Sequence, residues 1–207
     1  FSIVASTESH LWFSQQIVAL IADSAQKRGT GIARRSPEYI TSKILEGKAV
    51  IALSSEGELA GFCYIESWGH DRYVANSGLI VSEKFRNHGL AHKIKAKAFK
   101  LSRKKFPNAK LFGLTTSPAV MKINSELGYR PVTFSQLTDD EKFWDGCKSC
   151  VNYEILTSKE FKNCLCTGML HDLEEKKKQR EKKRKAAKEK FTAWIKSGSK
   201  KSKTWRN

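Results

Sequence analysis

Residues suited to holding a phosphate group fall within six positions: Arg86, Asn87, His88, Gly89, Leu90 and Ala91. An apolar, β-type run ends just before them at Val81. Beyond them Leu90, Ile94, Ala98 and Leu101, spaced 4, 4 and 3 apart, predict one apolar face of a helix that starts near Leu90. Strand, glycine-bearing turn and helix in this order leave backbone N–H groups free at a helix N-terminus, whose partial positive charge suits an anion. Arg86 adds a guanidinium that can pair with phosphate oxygens. The chemistry that fits is a grip on the pyrophosphate of a nucleotide-containing cofactor. An ordinary strand-to-helix turn on a basic surface is the alternative.

Three further sets of residues carry chemistry. Glu66, His70 and Asp71 fall near strand ends and suit a general base acting directly or through water, though each also suits a surface turn. Arg34 and Arg35 sit in a loop before a helix, free to grip a carboxylate or simply to be solvated. Cys147-x-x-Cys150 and Cys164-x-Cys166, thirteen residues apart, offer four thiolates to a structural zinc ion; free thiols are the competing reading. Cys63 lies in an apolar run and reads as core.

Around these groups the pattern predicts a strand at 1–5, then a helix over 9–28 from Phe13, Ile17, Leu20 and Ile21, stopped by Gly29. Ser36 caps a second helix, with Pro37 in its first turn, and Gly47 ends it. Strands at 49–53, 59–66 and 73–81 make an antiparallel run of three. Past the helix from Leu90, broken at Pro107, come a strand at 110–114, a short helix at 119–127, and strand candidates at 129–134 and 151–156. This order predicts an α/β (α+β) domain: a mixed, mostly antiparallel sheet with helices on both faces. The domain is expected over 1–157, with a cysteine-bearing extension at 158–171 and a basic, helical or disordered tail at 172–207.

The chain's 207 residues, 40% of them hydrophobic, suffice for one domain and an appendage. Residues 171–207 hold 15 Lys and Arg against 5 Asp and Glu, so +10 of the net +17 belongs to the tail. Within it Ala187, Phe191, Trp194 and Ile195 make a small apolar stripe, and 197–203 reads as flexible. Such a basic helix attracts nucleic acid nonspecifically through phosphates, although a solvated extension is the commoner outcome. No apolar run approaches the length of a bilayer span, which excludes a membrane-spanning helix. No signal peptide is visible, and the odd cysteine count fits a reducing cytoplasm.

The spacing R-x-x-G-x-A at Arg86, Gly89 and Ala91 resembles the acyl-CoA loop of the GNAT N-acetyltransferases, whose element order also matches the one above. Three more segments resemble one branch, the N-acetylglutamate synthases of arginine biosynthesis. G-I-A-R-R-S-P-E at 31–38 is similar to their G-I-L-V-R-R-S-R-E, K-L-F-G-L-T-T at 110–116 to K-L-F-V-L-T-T, and E-L-G-Y-R-P-V at 126–132 to E-R-G-F-x-P-V. With no amino-acid-kinase segment in the sequence, the expected counterpart is their short, stand-alone form.

The resemblance implies a GNAT fold and an acyl-CoA-dependent N-acyltransferase. Its donor is acetyl-CoA or succinyl-CoA, and its acceptor is the α-amine of glutamate or a similar amino acid. It places the cofactor on Leu79, Ile80, Val81, the turn from Arg86 to Ala91, and Thr116, with amides around 79–81 binding the thioester carbonyl. It places the acceptor on Arg34, which matches the family's glutamate-binding arginine by position, and on Arg35, Thr115 and Ser149, with Lys148 standing beside the family's arginine position, here Cys147. Asn124 occupies the catalytic position where many members carry a tyrosine acid, so no phenol is available there. A homodimer is a further expectation. Two rival readings stay open: a transferase for another protein or small-molecule amine, and a nucleic-acid-associated module that only binds CoA.

Overall fold

The computed structural model describes residues 1–28 and 34–201. The expected stop at Gly29, and Gly31, Ile32 and Ala33 of the 31–38 segment, lie outside the described residues. The chain divides into two units, Phe1–His171 and Asp172–Asn207.

In the first unit β1 (Ser2–Ala5) leads through a 3₁₀ turn (Glu8–Phe13) into α1 (Ser14–Arg28). The helix α2 (Pro37–Leu45) starts as its sequence requires: the Ser36 hydroxyl accepts from the Tyr39 N–H, and Pro37 takes a first-turn position that needs no donor. Then come β2 (Ala49–Leu53), β3 (Leu59–Trp68) and β4 (Tyr73–Val81), joined by short turns into an antiparallel meander. The helix α3 (Leu90–Lys105) follows, with β5 (Lys110–Thr115), α4 (Pro118–Glu126) and β6 (Arg130–Val132) after it.

The C-terminal part of this unit departs from expectation. Residues 151–156 are not a strand; α5 (Glu141–Asp145) is followed by a 3₁₀ turn and then by α6 (Tyr153–Ser158), which turns Leu156 into the core. The last strand is β7 (Thr167–His171), inside the segment expected to be an extension. It pairs antiparallel with both β5 and β6, so residues 158–171 complete the sheet rather than append to it. The sheet order is β1-β2-β3-β4-β5-β7-β6, antiparallel except between β4 and β5.

Both faces of the sheet are covered. On one, Ile17, Ile21, Ile40 and Ile44 from α1 and α2 pack on Ile51, Phe62 and Tyr64, while Phe134 and Leu156 pack on Ala75, Phe112 and Leu170. On the other, Leu90, Ile94 and Ala98 of α3 pack on Val50, Ala52 and Cys63, and Tyr129 with Met121 meets Ile65, Leu111 and Met169. Alternate residues of each strand serve opposite faces, the period expected of a sheet covered on both sides.

In the second unit α7 (Leu173–Lys201) continues through 197–201, where a flexible stretch was expected. Phe191 and Trp194 are exposed on it and lie ring against ring, 6.1 Å between centroids. Among the described residues no helix is long and apolar enough to cross a membrane.

Candidate active site

The site is made by a parting of strands. β4 and β5 run parallel, but only Tyr73, Val74 and Ala75 pair with Lys110, Leu111 and Phe112. Both strands then run on, β4 to Val81 and β5 to Thr115, without pairing to each other. The backbone beyond the last pair is an unpaired edge inside the molecule, which a ligand carrying amides can satisfy. A cavity of about 560 Å³ fills the gap, walled by residues 75–79 of β4 and by Gly113, Leu114, Thr115, Thr116 and Ser117.

From the α1–α2 face a polar network reaches this cavity. Glu66 on β3 and Arg35 both line it, with side chains 13% and 17% exposed. The Arg35 Nε donates to the Tyr64 hydroxyl at 2.8 Å, its Nη1 to the Arg34 carbonyl at 3.1 Å, and its Nη2 pairs with Glu66 Oε1 at 3.6 Å. The Tyr39 hydroxyl donates to the same carboxylate oxygen, and its ring lies under the guanidinium, 4.9 Å away. Burial raises the phenols of Tyr39 and Tyr64, and the Glu66 charge raises both further, so both stay neutral, Tyr39 donating to Glu66 and Tyr64 accepting from Arg35. A guanidinium has five N–H groups; among the described residues two are hydrogen-bonded and a third faces Glu66 in the ion pair. Two remain for a ligand carboxylate beside a carboxylate able to take a proton.

A bulge in β4 shapes the same gap. Phe62 pairs with Ile80 and Tyr64 with Ser77, so Gly78 and Leu79 together oppose the single residue Cys63. Gly78 has φ +60°, and a Cβ there would lie 2.3 Å from Tyr64 Cε1, so only glycine fits. The bulge takes the backbone at Leu79 out of the regular ladder and onto the cavity wall. Ile80 and Val81 instead pair with Phe62 and Gly61 and are buried, as is the side chain of Leu90, so these three can offer a ligand only backbone groups.

On the α3 face the turn before the helix is exposed. Asn87 and Gly89 both have positive φ, +66° and +70°, and the His88 ring bonds back to the Arg86 carbonyl at 2.7 Å. No side chain caps the helix N-terminus and no acidic residue occupies its first turn, so its first amides and dipole face outward. Arg86 rests on Glu83 at 3.3 Å, an exposed pair of the kind that contributes little and yields readily to a phosphate. Asn124 of α4 lines the cavity from the same face; it is 1% exposed and its Oδ1 has no hydrogen-bond partner among the described residues.

Several expected site residues lie elsewhere. The side chain of Arg34 is exposed and is not part of the cavity wall. His70 and Asp71 sit in the β3–β4 turn with positive φ and line a separate cleft with Lys105 and Lys110. Lys148 and Ser149 are exposed on the 3₁₀ turn, where Lys148 pairs with Asp145 at 2.7 Å.

The zinc expectation is corrected. Cys147, Cys150, Cys164 and Cys166 do gather on the cavity wall, but among the described residues no group of three or more His, Cys, Asp or Glu is arranged to hold a metal ion. Burial, with the neighbouring cysteines adding to it, pushes the Cys147 thiol up to about 11 and the Cys166 thiol up to about 12. Protonated thiols of that kind behave as small apolar packing groups.

Residues not anticipated from the sequence are Tyr39, Tyr64 and Lys95. Lys95 had a legible signal, since Ala91, Lys95, Ala98 and Ser102 share one helix face and that face carries small or apolar neighbours.

Residues 17–122 match the model of the acetyltransferase (GNAT) family. No curated protein matches the chain. Among solved structures, N-acetylglutamate synthase from Neisseria gonorrhoeae, complexed with coenzyme A and N-acetyl-glutamate, is similar with a TM-score of 0.59 and 19% identity over 83% of this chain. The similarity covers 35% of that synthase, so this chain spans about a third of its length. A Mycobacterium tuberculosis protein in complex with CoA gives 0.60 and 15%, over 84% of this chain and 99% of that one. A phosphinothricin acetyltransferase from Sinorhizobium meliloti in complex with AcCoA gives 0.55 and 12%, over 82% and 86%.

Proposed function

The chain belongs to the acetyltransferase (GNAT) family, and from that premise we propose that it moves an acetyl or succinyl group from an acyl-CoA to the α-amine of glutamate or a similar amino acid. The observation that carries this reading is the gap between β4 and β5, which opens to both faces of the sheet with different chemistry on each. On the α3 face an uncapped helix N-terminus and Arg86 suit a pyrophosphate, and the cofactor's amide-bearing arm fits the unpaired strand edges. On the α1–α2 face Arg35 suits a carboxylate and Glu66 suits the proton that the acceptor amine must lose.

The amine nitrogen attacks the thioester carbonyl carbon, the C–N bond forms, and the C–S bond breaks with its electron pair passing to sulfur. Backbone N–H groups at the Gly78–Leu79 bulge are suited to the oxyanion. Holding both reactants in one gap supplies much of the rate by removing the entropy of their encounter.

The test is thiol release from acetyl-CoA and succinyl-CoA with a panel of amines. Turnover with glutamate is expected; turnover only with other amines supports the rival acceptor reading, and none with any amine ends the enzymatic one. The basic α7 favours a second, separable role in nonspecific contact with nucleic acid. Retention on nucleic acid is expected to fall as salt rises and to be lost when residues 172–207 are deleted. Retention unchanged by that deletion removes this role.

A further inference from the structure

Lys95 is 2% exposed, yet it lines the cavity on the face of α3 turned toward the sheet. A buried ammonium without a carboxylate is costly, and an apolar side chain at this place would pack without that cost. Its Nζ donates to the Asn76 carbonyl at 3.0 Å. Asn76 is the first β4 residue beyond the last β4–β5 pair, so the lysine satisfies a group that the departing strand leaves behind. That bond uses one of three ammonium donors.

The titratable groups facing Lys95 are Cys63 from β3 and Tyr129 beyond α4, whose ring centre lies 5.9 Å from Nζ. Burial pushes the Cys63 thiol up to about 11 and raises the Tyr129 phenol as well, so both are neutral near neutral pH. Burial lowers the pKa of Lys95 itself, which makes its ammonium a readier proton donor than a solvated lysine. Asn124, reaching the cavity from α4, is an amide that cannot give up a proton, and its unpartnered Oδ1 is left to accept from a ligand.

We propose that Lys95 is the proton donor to the sulfur that leaves coenzyme A during acyl transfer, working across the gap from Glu66. This rests on the acyltransferase reading above. As the C–S bond breaks, the ammonium passes a proton to the thiolate and becomes a neutral amine. The proton shed by the acceptor nitrogen goes to Glu66, and once the products have left solvent reprotonates Lys95 and takes the proton from Glu66. Two walls of one cavity thus carry the two proton transfers that the reaction requires.

Full-length Lys95→Met and Lys95→Arg separate this role from a structural one. Lys95→Arg, which keeps the charge but does not release a proton, is expected to lose turnover as Lys95→Met does. With acetyl-CoA, kcat of Lys95→Met is expected to fall about 10²–10⁴-fold, the range of general acid catalysis. An aryl thioester, whose thiol leaves without help, is expected to lose less than about tenfold by the same reasoning. Turnover retained in Lys95→Arg, or equal losses with both thioesters, overturns the assignment. A wild type that binds no CoA sinks the acyltransferase reading itself, and this assignment with it.

Discussion

Replacing Glu66 by Gln is expected to lower kcat about 10²–10⁴-fold, the range for removing a general base, while acyl-CoA affinity stays within about threefold of wild type. The residue stands on β3 opposite Ala75, at the level where β5 still pairs with β4, and its carboxylate points to the face from which Arg35 and Tyr39 hold it. Gln keeps the volume, still accepts from the Tyr39 hydroxyl, and removes only the charge and the capacity to take a proton. A structural role would surface differently. Unpairing Arg35 inside the protein would lower the melting temperature and weaken acceptor binding, with kcat at saturation little changed. A loss confined to kcat at saturating acceptor, with Tyr39→Phe nearly as active as wild type, identifies the carboxylate as the base. A kcat within a few-fold of wild type moves the base to another group or to water.

What the sequence made legible is local in origin. Ser36 and Pro37, the apolar run at 49–53, the strand-like run at 73–81, and the stripe from Leu90 each carry a complete signal within a few residues, and the structure has those elements there. β7 carries no such signal. Thr167–His171 holds a glycine and a histidine in five residues and becomes a strand because β5 and β6 supply partners on both sides. Residues 151–156 look apolar enough for a strand, yet only Leu156 is buried, and one buried position per turn is satisfied by a short helix. The paired cysteine spacings invited a metal, but spacing along the chain does not fix where four sulfurs point. Lys95 escaped notice because a lysine beside the apolar stripe of a strongly basic helix reads as solvated.

The choice between the adjacent arginines is where motif and geometry diverge, and it yields the second large effect. Alignment with the synthase motif favours Arg34 as the carboxylate anchor; packing favours Arg35, whose guanidinium is oriented by Tyr64 and Glu66 at the cavity while Arg34 faces solvent. Hydrogen bonds to charged groups contribute about 1.5–3 kcal/mol each, and a two-bond grip partly offset by desolvation leaves about 3–4 kcal/mol. At about 1.4 kcal/mol per tenfold, Arg35→Ala is expected to lower kcat/KM for the acceptor roughly 10²–10³-fold, chiefly through KM. Acyl-CoA affinity is expected to be spared, since the α3 turn is on the opposite face of the sheet. Arg35→Lys should recover little, because an ammonium cannot hold Tyr64, Glu66 and a planar carboxylate at once. Arg34→Ala is expected to change the same ratio by less than about tenfold, as for an exposed charge. The reverse pattern, a large loss at Arg34 and a small one at Arg35, would hand the anchor to the motif and leave Arg35 as the brace that fixes Glu66.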